Sequence, residues 1–284
     1  MSRLQTLLLT TLAMLAFAGN SLLCRVALRE TAIDAASFTS IRLLSGALVL
    51  ALVVSMQGGL RKMQGDWGTG FWLFSYAACF SFAYTSLSAG TGALLLFGAV
   101  QVTMIGFGLW RGERLTWRRA AGHVCALAGL IGLMLPGLTA PPLSGALLMT
   151  LSGIAWGVFS VRGKGAGDPA LVSAGSFVRA VPFAVVLSVA SLPILSLDTA
   201  GVLLAIVSGG VTSGLGYLIW YNALRGLTVT SAATVQLTVP VIAAVGGILL
   251  LGEPLGLRLV LASVAVLGGV AIAMTGKKAD TVSP

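Results

Sequence analysis

The feature that most constrains this chain is a series of long apolar runs separated by short polar connections. A membrane-spanning helix needs about 20 apolar residues, because each residue adds about 1.5 Å and the hydrocarbon core is about 30 Å thick. Ten runs meet this requirement: residues 4–23, 37–56, 68–85, 89–109, 118–135, 144–161, 171–192, 200–221, 229–251 and 257–274. Only 9% of the residues are charged, against about 25% in soluble domains, which excludes a water-soluble enzyme. The sequence therefore predicts an all-α integral membrane protein with ten transmembrane helices.

The positive charges predict how these helices are oriented. Short cytoplasmic loops retain Lys and Arg. Of the 17 such residues, 12 lie in connections on the side of the N-terminus, 3 lie on the opposite side, and Arg42 and Arg179 lie within spans. Both termini are therefore expected in the cytoplasm, with the first run kept as an uncleaved span. The cations form no basic stripe, so they do not indicate a nucleic-acid partner.

An internal repeat divides the chain into two halves. A shift of 140 residues aligns Gly112-Glu113 with Gly252-Glu253, each within a Gly-Glu-x-Leu motif that joins the last two spans of its half. Small register changes align further pairs: Phe17 with Trp156, Ser21 with Ser160, and Arg42 with Arg179. Because each half has an odd number of spans, the second half must insert upside down. The sequence predicts two inverted five-helix repeats, residues 1–139 and 140–284, about a pseudo-twofold axis in the membrane plane.

Several motifs together resemble those of a known family. They are the aromatic residue followed by small residues in the first span of each half, the Arg in the second span, the turn Tyr221-Asn222-Ala223-Leu224, Pro240, and the two Gly-Glu-x-Leu motifs. In these motifs the chain, from about residue 4 to 274, resembles the drug/metabolite transporter superfamily in its ten-helix EamA-type branch. Among its members it is most similar to the aromatic amino-acid exporter group. It departs from the family at Val100, where members often have proline.

The resemblance implies an architecture and a location. Each half would be EamA-like, with a central cavity between spans 1 to 4 and 6 to 9 and with spans 5 and 10 at the periphery. The protein would be a multi-pass protein of the bacterial cytoplasmic (inner) membrane that works by alternating access. Its partners would be the lipid bilayer and a small-molecule substrate, and a monomer would suffice for transport.

The acidic residues limit the coupling mechanism. All eight lie in connections, tails or helix ends: Glu30, Asp34, Asp66, Glu113, Asp168, Asp198, Glu253 and Asp280. Proton pumps relay protons on intramembrane Asp, Glu or His, and exporters of cations need an intramembrane acid. We therefore expect facilitated, gradient-driven transport, with His123 either interfacial or a proton relay. The three cysteines lack the spacing of a metal site, and no cofactor or metal is expected.

The two cations within spans allow different interpretations. Arg42 lies about five residues inside the outer end of span 2, so it either extends its side chain to water or faces a cavity. Arg179 lies deeper, and Pro182 deprives the Val178 carbonyl of its helical hydrogen bond. Arg179 therefore either satisfies local backbone or attracts a substrate carboxylate or phosphate.

Aromatic and amide side chains supply the other candidate residues. Trp72, Tyr76, Phe80 and Tyr84 form a stripe on span 3, and its repeat mate, span 8, carries Tyr217 and Tyr221 at the same spacing. Such stripes either pack helices or wall a cavity, and intramembrane amides either join helices or line one. The predicted substrate-binding residues are Asn20, Arg42, Tyr76, Phe80, Gln101, Trp156, Arg179, Tyr217 and Gln236. Pro182 and Pro240 are the predicted hinges.

These observations predict a secondary transporter that exports amino acids of broad specificity, including aromatic ones. The alternatives are an exporter of drugs or other metabolites such as sugar phosphates, or a passive channel. An intramembrane enzyme acting on lipid would need clustered nucleophiles, bases or metal ligands, which one His and no buried acid do not supply. We therefore expect no enzymatic activity.

Overall fold

The computed structural model describes residues 2–111, 116–135, 140–164, 166–227, 231–232 and 235–275. Its long elements are all helices: α1 Arg3–Glu30, α2 Ala35–Met56, α3 Trp67–Tyr84, α4 Ala89–Trp110, α5 Trp117–Met134, α6 Leu143–Gly163, α7 Pro169–Ala190, α8 Thr199–Leu224, α9 Thr238–Leu251 and α10 Leu257–Thr275. Two single 3-10 turns, Leu60–Lys62 and Leu192–Ile194, lie in connections. Within the described ranges the chain is thus all-helical.

Six of the described helices are long and apolar enough to cross a membrane, namely α1, α2, α4, α6, α7 and α8. The others are shorter or less apolar. The helix predicted over 229–251 is helical at 231–232 and 235, has a turn at 236–237 and continues as α9 from Thr238, and residues 228–230 and 233–234 lie outside the described ranges. Pro240 falls in the first turn of α9, where the missing amide hydrogen needs no helical partner. Helix α1 runs seven residues beyond its predicted end, because Arg25 finds a buried partner there.

Aspartates begin four of the helices. The side chains of Asp34, Asp66, Asp168 and Asp198 accept hydrogen bonds from backbone amides at the start of α2, α3, α7 and α8. A carboxylate at this position satisfies otherwise unpaired N–H groups and interacts favourably with the helix dipole. Helix capping thus explains why these four acids lie at helix ends.

Contacts between connections define two ends of the bundle. At one end Arg162 bonds Asp66 at 2.8 Å and Lys164 donates to the Leu227 carbonyl; we call this the Asp66 end. At the other end Arg25 contacts Glu253, and the Ser196 amide donates to Asp34; we call this the Glu253 end. The outer faces of the helices carry many exposed leucines and valines, as a lipid-facing surface requires.

The helices pack as an inner group with one pair beside it. Helix α6 packs on α3 and α4, α2 packs on α7 and α8, and α1 packs on α8 and α9. Helices α5 and α10 pack chiefly on each other, as predicted for spans 5 and 10, with Gly129 against Ala265 and Gly269 against the Gly122 carbonyl. Gly153 and Gly157 lie against Leu96 and Thr103, which lets α6 approach α4 closely.

Candidate functional site

The middle of the inner group holds a buried arginine. Arg42 of α2 is 1% exposed. Its Nε donates to Ser213 Oγ at 3.0 Å, and its Nη2 donates to the hydroxyls of Tyr76 at 2.8 Å and Tyr217 at 3.0 Å. The interpretation that Arg42 extends to water is therefore wrong. The side chain turns inward because neutral oxygens from α3 and α8 provide acceptors that lipid does not.

The third nitrogen of this guanidinium has no partner. Within the described chain, Arg42 Nη1 is buried and makes no hydrogen bond. The carbon Cζ of Arg42 lies 4.9 Å from the ring centroid of Phe80 and 5.1 Å from that of Tyr76, so two rings provide cation–π contacts. An unpaired N–H donor on a buried charge is costly and marks a position where a ligand acceptor would be favourable.

Asn20 of α1 joins this network from the opposite side. Its amide nitrogen donates to the Tyr76 hydroxyl at 3.2 Å. Its oxygen accepts from three hydroxyls of α8, those of Ser208 at 2.6 Å, Thr212 at 3.3 Å and Ser213 at 3.4 Å. The predicted candidates Asn20, Arg42, Tyr76 and Tyr217 are thus brought into one network.

A π-helical segment of α8, Ser208–Leu215, supplies these hydroxyls. In a π-helix the hydrogen bond spans five residues, so Ser208 and Ser213 lie one turn apart on the same face. The backbone of this segment also lies close to α2, because a side chain on Gly209 would meet the Arg42 carbonyl and one on Gly46 would meet the Gly209 carbonyl. The π segment therefore presents three hydroxyls to residues of α1 and α2.

Aromatic rings form the wall of the network. The ring centroid of Trp156 lies 4.6 Å from that of Tyr217, 5.0 Å from that of Tyr76 and 5.3 Å from that of Phe17. Trp156 Nε1 donates to Gln236 Oε1 at 2.9 Å, which places Gln236 directly behind the wall. We use the term arginine cage for Asn20, Arg42, Tyr76, Phe80, Trp156 and Tyr217. It combines a buried positive charge with stacking surfaces from α3, α6 and α8.

The structure places the other predicted residues elsewhere. Arg179 donates to the carbonyls of Gln64 at 3.3 Å and Gly175 at 2.9 Å, toward the Asp66 end. It therefore bonds backbone carbonyls, but the carbonyl of Val178 is not one of them. Gln101, 4% exposed, lines a cavity of about 320 Å³ between α4, α5 and α10, and its Oε1 has no hydrogen-bond partner in the described chain. His123 lines the same cavity. Pro182 lies inside α7.

Sequence reasoning missed two features of the site. Ser208 was not singled out, although the Ser208-Gly209-Gly210 sequence within an apolar helix signals a close backbone approach. The second missed feature is the buried ion pair at the Glu253 end. Arg25 Nε lies 3.1 Å from Glu253 Oε1, and Glu253 Oε2 accepts from the Ala89 amide at 2.8 Å. This pair ties α1 and the start of α4 to the connection between α9 and α10.

Comparisons with known proteins support this picture. Residues 143–275 match the model of the EamA-like transporter family. The chain is 58% identical over 269 residues to an uncharacterized protein of Pseudomonas aeruginosa, covering 94% of each chain. It is 25% identical over 265 residues to an uncharacterized transporter of Archaeoglobus fulgidus, covering 88% of this chain and 90% of the relative.

A solved structure also matches the fold. A crystal structure of a protein superposes with a TM-score of 0.72 over 96% of this chain and 99% of that one, at 18% identity, which shows a shared fold. The apolar helices and the family together make this chain a multi-pass membrane transporter with a small-molecule substrate. The match of residues 143–275 to the EamA-like transporter family, together with the transporter relatives, supports membership of the drug/metabolite transporter superfamily.

Proposed function

We propose that this transporter exports small amphipathic carboxylates, with amino acids, including aromatic ones, as the first class to test. The observation that carries the proposal is the unpaired Nη1 of Arg42 inside the arginine cage. A guanidinium binds a carboxylate through two parallel, charge-assisted hydrogen bonds, and Nη1 would contribute one of them. The rings of Trp156 and Phe80 would bury the apolar part of the substrate.

We further propose that transport is facilitated and runs without a coupled ion. A proton relay needs a titratable carboxylate or His beside the substrate. Among the described residues, none of the acids contacts a member of the arginine cage, whose polar groups are amide, hydroxyl, indole and guanidinium. The substrate gradient across the membrane would then supply the driving force.

The proposal includes the architecture predicted from sequence. We propose ten spans in two inverted repeats, residues 1–139 and 140–284, in the bacterial inner membrane, with a monomer sufficient for transport. The Asp66 end would be cytoplasmic, because most Lys and Arg of the connections lie on that side. The contact between Phe17 and Trp156, the paired aromatics of the two repeats, supports a site between the halves.

Alternating access requires that each end of the bundle opens in turn. The Arg25–Glu253 pair holds the Glu253 end together, so we propose that it separates when the substrate leaves to the outside. Pro182 and Pro240 remain the proposed hinges: Pro182 removes an amide donor inside α7, and Pro240 closely follows the turn at 236–237. Gln236 would orient the substrate through Trp156, whereas Gln101 and Arg179 would act outside the arginine cage, along the path to it.

Substrate counterflow in proteoliposomes tests the proposal. The purified chain is reconstituted, the liposomes are loaded with unlabelled compound, and uptake of labelled phenylalanine, a sugar phosphate or a cationic dye is followed. We expect saturable, trans-stimulated uptake of the carboxylate, because exchange requires the alternating site.

Three results would contradict the proposal. Uptake of only the dye or only the sugar phosphate would indicate the alternative exporters. Uptake that neither saturates nor responds to compound on the other side of the membrane would indicate a channel. Protein-free liposomes provide the background.

A further inference from the structure

The arginine cage carries one positive charge, and no residue that the structure describes supplies a counter-ion to it. Among the described acids, Asp34, Asp66, Asp168 and Asp198 cap helices. Glu30 pairs with Arg29, and Glu253 pairs with Arg25. None of them forms an ion pair with Arg42, whose hydrogen bonds go to Ser213, Tyr76 and Tyr217. A buried charge without an opposite charge is strongly destabilised. A ligand that neutralises this charge therefore gains more binding free energy than a ligand that does not.

Several hydrogen-bond acceptors in and beside the arginine cage are already occupied. Asn20 Oδ1 accepts from three hydroxyls, and Gln236 Oε1 accepts from Trp156. The Tyr76 hydroxyl oxygen accepts from both Arg42 and Asn20. An ammonium group has three donors and no acceptor, so in this site it would find few free acceptors and would lie beside the like charge of Arg42. The cage offers an anion the unpaired Nη1 donor and an opposite charge, whereas an ammonium meets a like charge.

We propose that the arginine cage selects carboxylates of net charge −1 over zwitterions, and that the membrane potential therefore drives their export. The inference rests on the proposed function and names its preferred substrate class: amphipathic monoanions such as aromatic 2-oxo acids or N-acylated amino acids. The aromatic wall accepts the same ring in either case. The difference lies in the α-substituent, which must not bring a positive charge into the cage.

The driving force follows from the charge of the two carrier states. The empty carrier holds the Arg42 charge inside the membrane, and the loaded carrier is neutral at that position. An inside-negative potential favours the return of the positive, empty site toward the cytoplasm and leaves the neutral, loaded step unaffected. One turnover moves one negative charge outward without a proton or sodium ion.

The experiment compares phenylalanine with phenylpyruvate, its 2-oxo counterpart, in liposomes that contain the full chain. The two share a ring and a carboxylate and differ by the ammonium group. Valinomycin with a tenfold potassium gradient sets the potential. We expect counterflow to favour phenylpyruvate, and we expect its steady-state accumulation on the positive side to reach about tenfold, the equilibrium ratio for one charge. Protein-free liposomes measure leakage.

The possible results separate this inference from the proposed function. If both compounds move, but phenylalanine moves as well as phenylpyruvate or accumulation is unchanged by valinomycin, the charge selection is wrong and carboxylate transport stands. If neither compound shows counterflow, the proposed function fails, and the charge selection fails with it.

A charge-adding variant gives an independent test. Asn20→Asp places an acid beside Arg42, so we expect the preference for phenylpyruvate over phenylalanine to fall about tenfold or more. Asn222→Asp, in the same bundle but bonded to the Leu218 carbonyl, is the matched control and should keep the wild-type ratio. Both proteins are first shown to be monodisperse. An unchanged ratio in Asn20→Asp would overturn the inference.

Discussion

Arg42 remains charged inside the bundle because neutral oxygens bind two of its three nitrogens and two aromatic rings cover its face. The sequence identified this residue as a candidate, yet it did not distinguish a cavity-facing arginine from one that extends to water. That distinction depends on Ser213 and Tyr217, which lie more than 170 residues away along the chain. Such long-range contacts leave no local pattern in the sequence.

The tyrosine hydroxyls of the arginine cage give a first prediction. Tyr76→Phe and Tyr217→Phe each remove an acceptor from a buried cation, and a hydrogen bond to a charged group is worth about 1.5–3 kcal/mol. We expect the half-saturating concentration for carboxylate counterflow to rise about tenfold or more in each variant. Tyr221→Phe is the control, because its buried hydroxyl donates only to the Phe159 carbonyl. An equal effect in Tyr221→Phe would show that the loss is one of packing.

Asp34 gives a prediction about stability and pH. Partial burial alone would raise the pKa of its carboxyl, but hydrogen bonds from Ser196, Ser37 and Ala36 outweigh burial and lower the pKa below its ordinary value. The stabilisation is therefore complete above the ordinary Asp pKa and is lost as the pH falls through the lowered, folded-state pKa.

The measurement is thermal unfolding in detergent at neutral and at acidic pH. Asp34→Asn keeps one acceptor for the cap and loses the bonds to the second oxygen, so we expect it to be less stable than wild type by about 1 kcal/mol at neutral pH. It should also lose less stability than wild type on acidification. Equal acid sensitivity of the two proteins would show that Asp34 does not contribute as described.

At the scale of elements, helix α8 was predicted as a helix with nearly correct ends, but its interior was not. Apolar periodicity indicates a long helix over 200–221 and is insensitive to one wide turn, so the π segment Ser208–Leu215 was missed. The turn at 236–237, inside the helix predicted over 229–251, was missed for a related reason, since hydropathy continues across it. The apolar composition of a segment predicts that it forms a helix. Local deviations, such as the π segment and the turn, depend on how the helix packs against its neighbours.

The close approach of α8 to α2 gives a prediction at this scale. A methyl group on Gly209 would meet the Arg42 carbonyl and Ser45 Oγ, and the backbone oxygen cannot rotate away. We expect Gly209→Ala to destabilise the protein by about 1–3 kcal/mol, the range for overpacking, and to weaken counterflow. Gly210→Ala is the matched control, because it would meet only the Val49 side chain, at 3.1 Å. Equal melting temperatures for the two variants would argue against this packing.

The ion pair at the Glu253 end gives a prediction about access. Cys24 is 0% exposed and precedes Arg25, so maleimide labelling of Cys24 reports opening of this end. In a background with Cys79→Ser and Cys125→Ser, we expect Glu253→Gln to increase the labelling rate several-fold, because it removes the charge that pairs with Arg25. Arg162→Gln, which breaks the exposed pair with Asp66 at the opposite end, should not raise the rate. An unchanged rate in Glu253→Gln, or an equal rise in Arg162→Gln, would contradict a gating role for Glu253.

At the scale of the whole molecule, residues from distant parts of the chain meet in one site, as the proposed halves would require. Phe17 and Trp156, paired by the repeat, touch at the arginine cage, whereas Arg42 and Arg179 have different surroundings. Sequence similarity between the halves therefore predicted which residues to compare but not which arginine lies in the cage. That asymmetry arises because α8 offers Ser213 and Tyr217 to Arg42, while Arg179 bonds the carbonyls of Gln64 and Gly175.

Carboxylate counterflow in proteoliposomes, compared between variants of these two arginines, tests whether the arginine cage binds the substrate. Wild type, Arg42→Gln and Arg179→Gln are reconstituted after gel filtration has shown each to be monodisperse, with Arg42→Lys to separate charge from hydrogen-bond geometry. We expect Arg42→Gln to reduce saturable counterflow to the level of protein-free liposomes and Arg179→Gln to retain most of it. Wild-type counterflow in Arg42→Gln, with an unchanged half-saturating concentration, would contradict the claim that the arginine cage binds the substrate.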